Sequence, residues 1–138
     1  RVLADELGAQ VVAADAIIGV DADIFSPNAL GAVLNIHSIP LLRAGVVAGG
    51  ANNQLATPAD AARLHARGIL YAPDYVINAG GIINVALEYL GHGDRAEVDA
   101  RVALIPDRLR TIWSESAASD RPAADVADAM AQRLIGRG

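Results

Sequence analysis

Three short segments hold most of the chemistry this chain can offer. They are Ser26-Pro27-Asn28-Ala29-Leu30-Gly31, Gly49-Gly50-Ala51-Asn52-Asn53-Gln54, and Pro73-Asp74 through Asn78-Ala79-Gly80-Gly81. Each combines small residues with polar side chains, mostly amides. An amide donates and accepts without demanding a counter-charge, which suits a neutral polar ligand such as a carboxamide or a ribose. The glycines let backbone come close to that ligand. One such segment alone reads as a capped turn. Three of them, each just beyond a short apolar run, read as a ligand crevice. Asn78 fits either role, capping the helix that follows or facing the crevice. Asp74 has the same two readings. Ile82 and Val85 are three apart and share one helix face directly after this corner. They read either as core or as a pocket wall for an aliphatic group.

Other chemistries lack their residues. The eleven basic residues are all Arg, so no lysine amine is available, and the absence of Cys removes thiolate ligands and nucleophiles. His37, His65 and His92 lie far apart without metal-ligand spacing, in turns or near helix ends, and read as solvated. No GxSxG or GxGxxG motif occurs. A formal charge of −5 and a pI near 5.0 disfavour a nucleic-acid or anionic membrane surface. No apolar stretch approaches the ~20 residues of a membrane span, and the lack of cysteine fits a cytoplasmic protein.

The elements that must position the three segments follow from apolar periodicity. Val2, Leu3 and Leu7 mark the end of an amphipathic helix stopped by Gly8. Strands are expected at Gln10 to Ala13, at Ile24-Phe25, at Val46 to Ala48 and at Ile69 to Tyr71. Helices are expected near Leu30 to Leu34, from Ser38 to Gly45, from Thr57 to Gly68 and from about Gly80 to Leu90. Thr57-Pro58-Ala59-Asp60 is a helix opening in which Thr57 caps and the Asp60 carboxylate reaches back to the cap amide. Three- and four-residue apolar strands alternating with helices predict a parallel α/β sheet buried on both faces. Ligands bind such sheets beyond the carboxyl ends of the strands, where the three segments fall. Val98, Val102, Ile105, Leu109 and Ile112 then predict one long helix kinked at Pro106, and Val126, Met130 and Leu134 a second, opening near Asp120.

With these residues in view, the chain resembles the C-terminal part of the glutamate/leucine/phenylalanine/valine dehydrogenase family, nearest the leucine, phenylalanine and valine branch. The resemblance rests on SPNALGAVLN (26–35), VVAGGANNQL (46–55) and above all GILYAPDYVINAGGIINVALEYLG (68–91). It implies an enzyme that interconverts an L-amino acid and its 2-oxo acid, with NAD as cofactor and release of ammonia. It also implies a fold in which residues 1–91 form the second half of a Rossmann-type dinucleotide-binding domain. Residues 92–138 would be C-terminal helices that pack back on an N-terminal catalytic domain. Carried over by motif, Ala29, Leu30, Asn52 and Asn78 would contact the cofactor. Asn53 would contact the substrate, and Ile82 and Val85 would line the pocket for its side chain. Two branched apolar residues there favour an aliphatic or aromatic amino acid, because an unpaired carboxylate would be costly to bury beside them.

The departures are as informative. The glycine-rich phosphate loop and the catalytic lysines of the family are missing, so no catalytic residue is expected in this chain and the isolated chain is expected to be inactive. Asn28 stands where small or sulfur-bearing residues are common in the family. The chain starts at Arg1, in mid-helix by pattern, and its only methionine is Met130. The expectation is a piece of a longer, oligomeric protein whose N-terminal catalytic region is its partner. The competing expectation is a truncated, non-catalytic interaction module of the same fold.

Overall fold

The computed structural model describes residues 2–136. In chain order, α1 spans Val2–Leu7, β1 Ile24–Phe25, β2 Val46–Val47, α2 Ala59–Ala66 and β3 Leu70–Tyr71. They are followed by α3 (Asp74–Ile77), α4 (Gly80–Tyr89), α5 (Arg95–Val102), α6 (Ile105–Ser119) and α7 (Ala123–Leu134). Single 3-10 turns lie at Ile17–Gly19 and Ile39–Leu41. The sheet has the order β1-β2-β3 and is parallel throughout, with Ile24 opposite Val46 and Val46 opposite Leu70. A small parallel sheet followed by helices is the fold class that the alternation of elements predicts.

Phe25, Val47 and Tyr71 form one row across the sheet, and that row faces the core. Leu34, Ile39, Leu42, Leu64 and Ile69 are buried around it. A second cluster, with Ile112, Val126 and Ala127 at its centre, joins α6 to α7 and takes in Val76 and Trp113. The two clusters meet at the sheet edge, where Trp113 Nε1 donates to the Tyr71 carbonyl at 2.8 Å. This contact satisfies an acceptor that an edge strand otherwise leaves open. At the opening of α2 the expected reach of Asp60 is present, with Oδ2 accepting from both the Thr57 amide and the Thr57 hydroxyl at 2.8 Å. Thr57 itself does not cap, because its hydroxyl is spent on Asp60 and Pro58 holds the cap position.

Several expected elements take other forms. Gln10 to Ala13 is not a strand, because no described segment lies beside it to complete a backbone ladder. The stretch from Leu30 to Leu34 is irregular and not helical. Ala32 adopts φ 57, which no right-handed helix contains, and Leu34 forms a parallel bridge with Leu55. The helix expected from Ser38 shrinks to the turn Ile39–Leu41, since Arg67 reaches across to take the carbonyls of Ile39 and Leu42. The sheet is not buried on both faces: Ile24 and Leu70 are exposed and Val46 is half-buried. The long kinked helix is two helices, α5 and α6, with Pro106 in the first turn of α6, where its missing N–H costs nothing. Asp120 closes α6 in the left-handed conformation and does not open α7, which starts at Ala123.

Candidate functional site

The three chemistry-bearing segments leave the carboxyl ends of β1, β2 and β3, and the parallel register brings them to one edge. The first two are in close contact. A Cβ on Gly49 would lie 2.2 Å from the Pro27 carbonyl oxygen, so only glycine fits the crossing. A Cβ on Gly31 would lie 2.9 Å from the carbonyl oxygens of both Asn52 and Asn53. Hydrogen bonds complete the seam: Ala51 N–H donates to the Pro27 carbonyl at 2.9 Å and Ala32 N–H to the Asn53 carbonyl at 2.7 Å.

Side chains add the next layer. Asn28 donates through Nδ2 to the Ser26 carbonyl and hydroxyl at 3.0 Å, and its Oδ1 accepts from the Gly50 N–H at 2.8 Å. Asn28 therefore stitches the first corner to the second. Gln54 is fully buried and ties its own loop, donating to the Gly49 and Ala51 carbonyls at 2.7 and 2.9 Å. The third corner joins through Asn78, whose Nδ2 donates to the Gly50 carbonyl at 2.9 Å and to Asn52 Oδ1 at 2.7 Å.

Asp74 neither caps α3 nor lies open in the crevice. It is buried, accepts the Asn53 N–H at 2.8 Å through Oδ2, and accepts the Tyr71 hydroxyl at 3.0 Å through Oδ1. Asn53 has φ 52, so a carboxylate on its amide holds a backbone conformation that non-glycine residues seldom adopt. Burial, followed by the charge and hydrogen bond of Asp74, pushes the Tyr71 phenol well above its ordinary range.

The structure thus brings Asn52, Asn53 and Asn78 together, with Ala29 and Leu30 on the adjoining loop. Leu30 is 83% exposed, and Ile82 and Val85 on α4 are 66% and 58% exposed, which removes the core reading of the latter two among the described residues. A groove of about 740 Å³ takes another part of α4, with Ile83 and Leu87 facing α5 and α6. His37 and His92 are exposed, while His65 Nε2 lies 3.0 Å from the Asp120 carboxylate. The contacts made by Asp74, Asn28 and Gln54 were not legible in the sequence. A carboxylate or amide beside a glycine corner was the signal, but its partner lies 21 to 28 residues away for Asp74 and Asn78.

The profile of the glutamate/leucine/phenylalanine/valine dehydrogenase family matches residues 3–133. The chain belongs to that family. A leucine dehydrogenase of Geobacillus stearothermophilus is 43% identical over 131 residues, which make up 95% of this chain and 35% of that protein. A valine dehydrogenase of Streptomyces albus is 46% identical over 122 residues, 88% of this chain and 33% of that one. The crystal structure of the L-tryptophan dehydrogenase from Nostoc punctiforme superposes with a TM-score of 0.91 at 41% identity, covering 97% of this chain and 40% of that chain. The chain spans about a third of the length of the curated relatives it matches. The amide-rich edge combines exposed polar groups with exposed apolar side chains.

Proposed function

We propose that this chain is the cofactor-side portion of an NAD-dependent amino acid dehydrogenase, acting on an aliphatic or aromatic L-amino acid. One observation carries the reading: three corners at one parallel-sheet edge are joined through Asn78 and Asn52, and exposed apolar side chains flank them. A surface helix has little reason to expose Ile82 and Val85 on one face unless something apolar meets them. The residues fit a nicotinamide dinucleotide. The edge offers neutral donors and acceptors, Gly49 and Gly31 keep the loops thin, and no carboxylate opens onto it, since Asp74 is occupied.

Bound there, the dinucleotide supplies the hydride acceptor. Ala29, Leu30, Asn52 and Asn78 hold and orient it, Asn53 meets the substrate, and Ile82 and Val85 exclude water around the substrate side chain. Among the described residues, Asp74 is the acid tied to this edge, and its carboxylate is occupied by the Tyr71 hydroxyl and the Asn53 amide, so it is not free to carry protons. The lysine and aspartate of the family mechanism therefore belong to a region outside these 138 residues. In this reading residues 1–91 are half of the dinucleotide-binding domain, and 92–138 are closing helices that also meet the N-terminal region of a cytoplasmic oligomer.

The test compares the 138-residue chain with the whole open reading frame that encodes it, each given NAD and leucine, valine, phenylalanine or tryptophan. Turnover by the full-length protein and none by the isolated chain is the expected result. Turnover by the isolated chain would overturn its dependence on outside residues. An inert full-length protein, or a stop codon directly before Arg1, would replace the enzyme with the non-catalytic module.

A further inference from the structure

We propose that Asn78 is a positioning residue that sets the polarity with which Asn52 meets its ligand. The inference deepens the function proposed above and rests on it for the identity of the ligand. Its geometrical part stands without it.

A side-chain amide has a donor end and an acceptor end of nearly equal shape, and only its partners decide which way round it sits. At Asn78 the decision is made by backbone. The Gly50 carbonyl can only accept, so the Asn78 atom 2.9 Å away is the nitrogen. That nitrogen spends its second hydrogen on Asn52 at 2.7 Å, and the Asn52 atom that receives it must be Oδ1. The orientation of one carbonyl is thus relayed through two side chains.

The anchor itself is firm. The Gly50 N–H is held by Asn28 Oδ1 at 2.8 Å, and the next amide, Ala51 N–H, by the Pro27 carbonyl at 2.9 Å. The Asn78 N–H donates to the Asp74 carbonyl at 2.8 Å, which fixes the other end of the relay at the close of α3. Two groups remain without a partner among the described residues: Asn52 Nδ2, a donor on an exposed residue, and Asn78 Oδ1, an acceptor on a half-buried one. One donor beside one acceptor suits an uncharged group with the reverse pair, such as a carboxamide or a hydroxyl. A carboxylate would meet the Asn78 oxygen as a like partner. Setting this arrangement before the ligand arrives removes the cost of ordering the Asn52 side chain on binding.

Asn78→Asp removes both hydrogens of the relay. A carboxylate between the Gly50 carbonyl and Asn52 favours a turned Asn52 amide, with Nδ2 inward and Oδ1 presented to the ligand. Asn78→Ala frees Asn52 to take either orientation.

The experiment has two arms on the full-length protein, the whole open reading frame. In the first, without ligand, asparagine is isotope-labelled and side-chain amide hydrogen exchange is followed by NMR. The Asn78 side-chain amide should exchange slowly and that of Asn52 fast, and Asn78→Ala should move the Asn52 side-chain resonances. Protection of Asn52 in place of Asn78, or Asn52 resonances untouched by the substitution, would overturn the relay. In the second arm, NAD affinity is measured for Asn78→Ala, Asn52→Ala and the double variant. Each single change should weaken binding about tenfold, the worth of one oriented hydrogen bond. The double variant should be weaker than Asn52→Ala alone, because Asn78 Oδ1 also faces the ligand, but by a smaller factor than Asn78→Ala costs in the otherwise unchanged protein. Multiplying effects would show that Asn78 acts independently of Asn52 and would overturn the proposal. A wild-type protein that binds no NAD overturns the function proposed above, and the exchange arm then decides the relay by itself.

Discussion

Asp74 accepts two hydrogen bonds from groups that have no other hydrogen-bond partner among the described residues, the Asn53 amide and the Tyr71 hydroxyl. Removing a buried acceptor strands its donors, which costs more than the bond alone is worth. Asp74→Ala is therefore expected to destabilise the protein by about 2–3 kcal/mol, and Tyr71→Phe, which spares the Asn53 bond, by about 1 kcal/mol. Denaturant midpoints check both values, and equal losses would show that the Asn53 bond contributes nothing. Residue-level chemistry was partly legible in the sequence, since Asn52, Asn53 and Asn78 were picked out by type and by their place after strands. Asp74 was not read correctly, because a carboxylate beside a helix start looks like a local cap. Its partners are set by how β2 and β3 align.

At the scale of elements, the glycines separate two physical roles. Gly49 sits where a Cβ would overlap the Pro27 backbone, whereas nothing lies within 4 Å of a Cβ on Gly81 in the first turn of α4. Gly49→Ala should lower the melting temperature sharply, because the atoms it meets are backbone and cannot move aside. Gly81→Ala should raise stability by about 0.5–1 kcal/mol through helix propensity. The same thermal melts measure both, and a silent Gly49→Ala would refute the close crossing. The opening of α2 adds a pH dependence. Burial raises the Asp60 carboxyl, but hydrogen bonds from the Thr57 side chain and amide and from Arg63, together with the Arg63 charge, bring it below its ordinary 3.8. The folded state thus holds the ionised form more tightly than the unfolded chain does. That stability is present above about pH 4 and is lost as pH falls through the lowered folded value. Asp60→Asn should be less stable than wild type at neutral pH, and the gap should narrow on acidification, as urea unfolding at several pH values would show.

For the whole molecule, two tyrosines join the sheet to the closing helices. The Tyr75 hydroxyl donates to Asp128 at 2.6 Å and lies 3.1 Å from the Ala124 carbonyl, so α3 is tied to α7, and Tyr71 lies at the meeting of the two cores. Burial first, and then neighbouring aspartates, raises both phenols above their ordinary 10.0. The unfolded chain releases these protons from about pH 10 upward while the folded chain keeps them, so the stability they contribute is lost as pH rises from there through the raised folded values. Stability measured in alkali should fall less steeply for Tyr75→Phe than for wild type. An identical alkaline slope would mean that the Tyr75 hydroxyl does not link the sheet to α7.

The sequence alone determined the parallel α/β architecture, the positions of β1, β2 and β3, the reach of Asp60 back to Thr57 and the family. Each of these depends on local patterning: short apolar runs, glycine corners, a capping box and a motif 24 residues long at 68–91. It misjudged Gln10 to Ala13, Leu30 to Leu34 and Ser38 to Gly45, where local propensity yields to a missing ladder partner, a bridge to Leu55 and the reach of Arg67. Only the tertiary structure decided that Asp74 clamps Asn53, that Asn78 orients Asn52, and that Ile82 and Val85 stand exposed beside them. Those facts are contacts between residues more than twenty positions apart, or the lack of such contacts, and the distance between two strand ends appears only when the sheet is assembled.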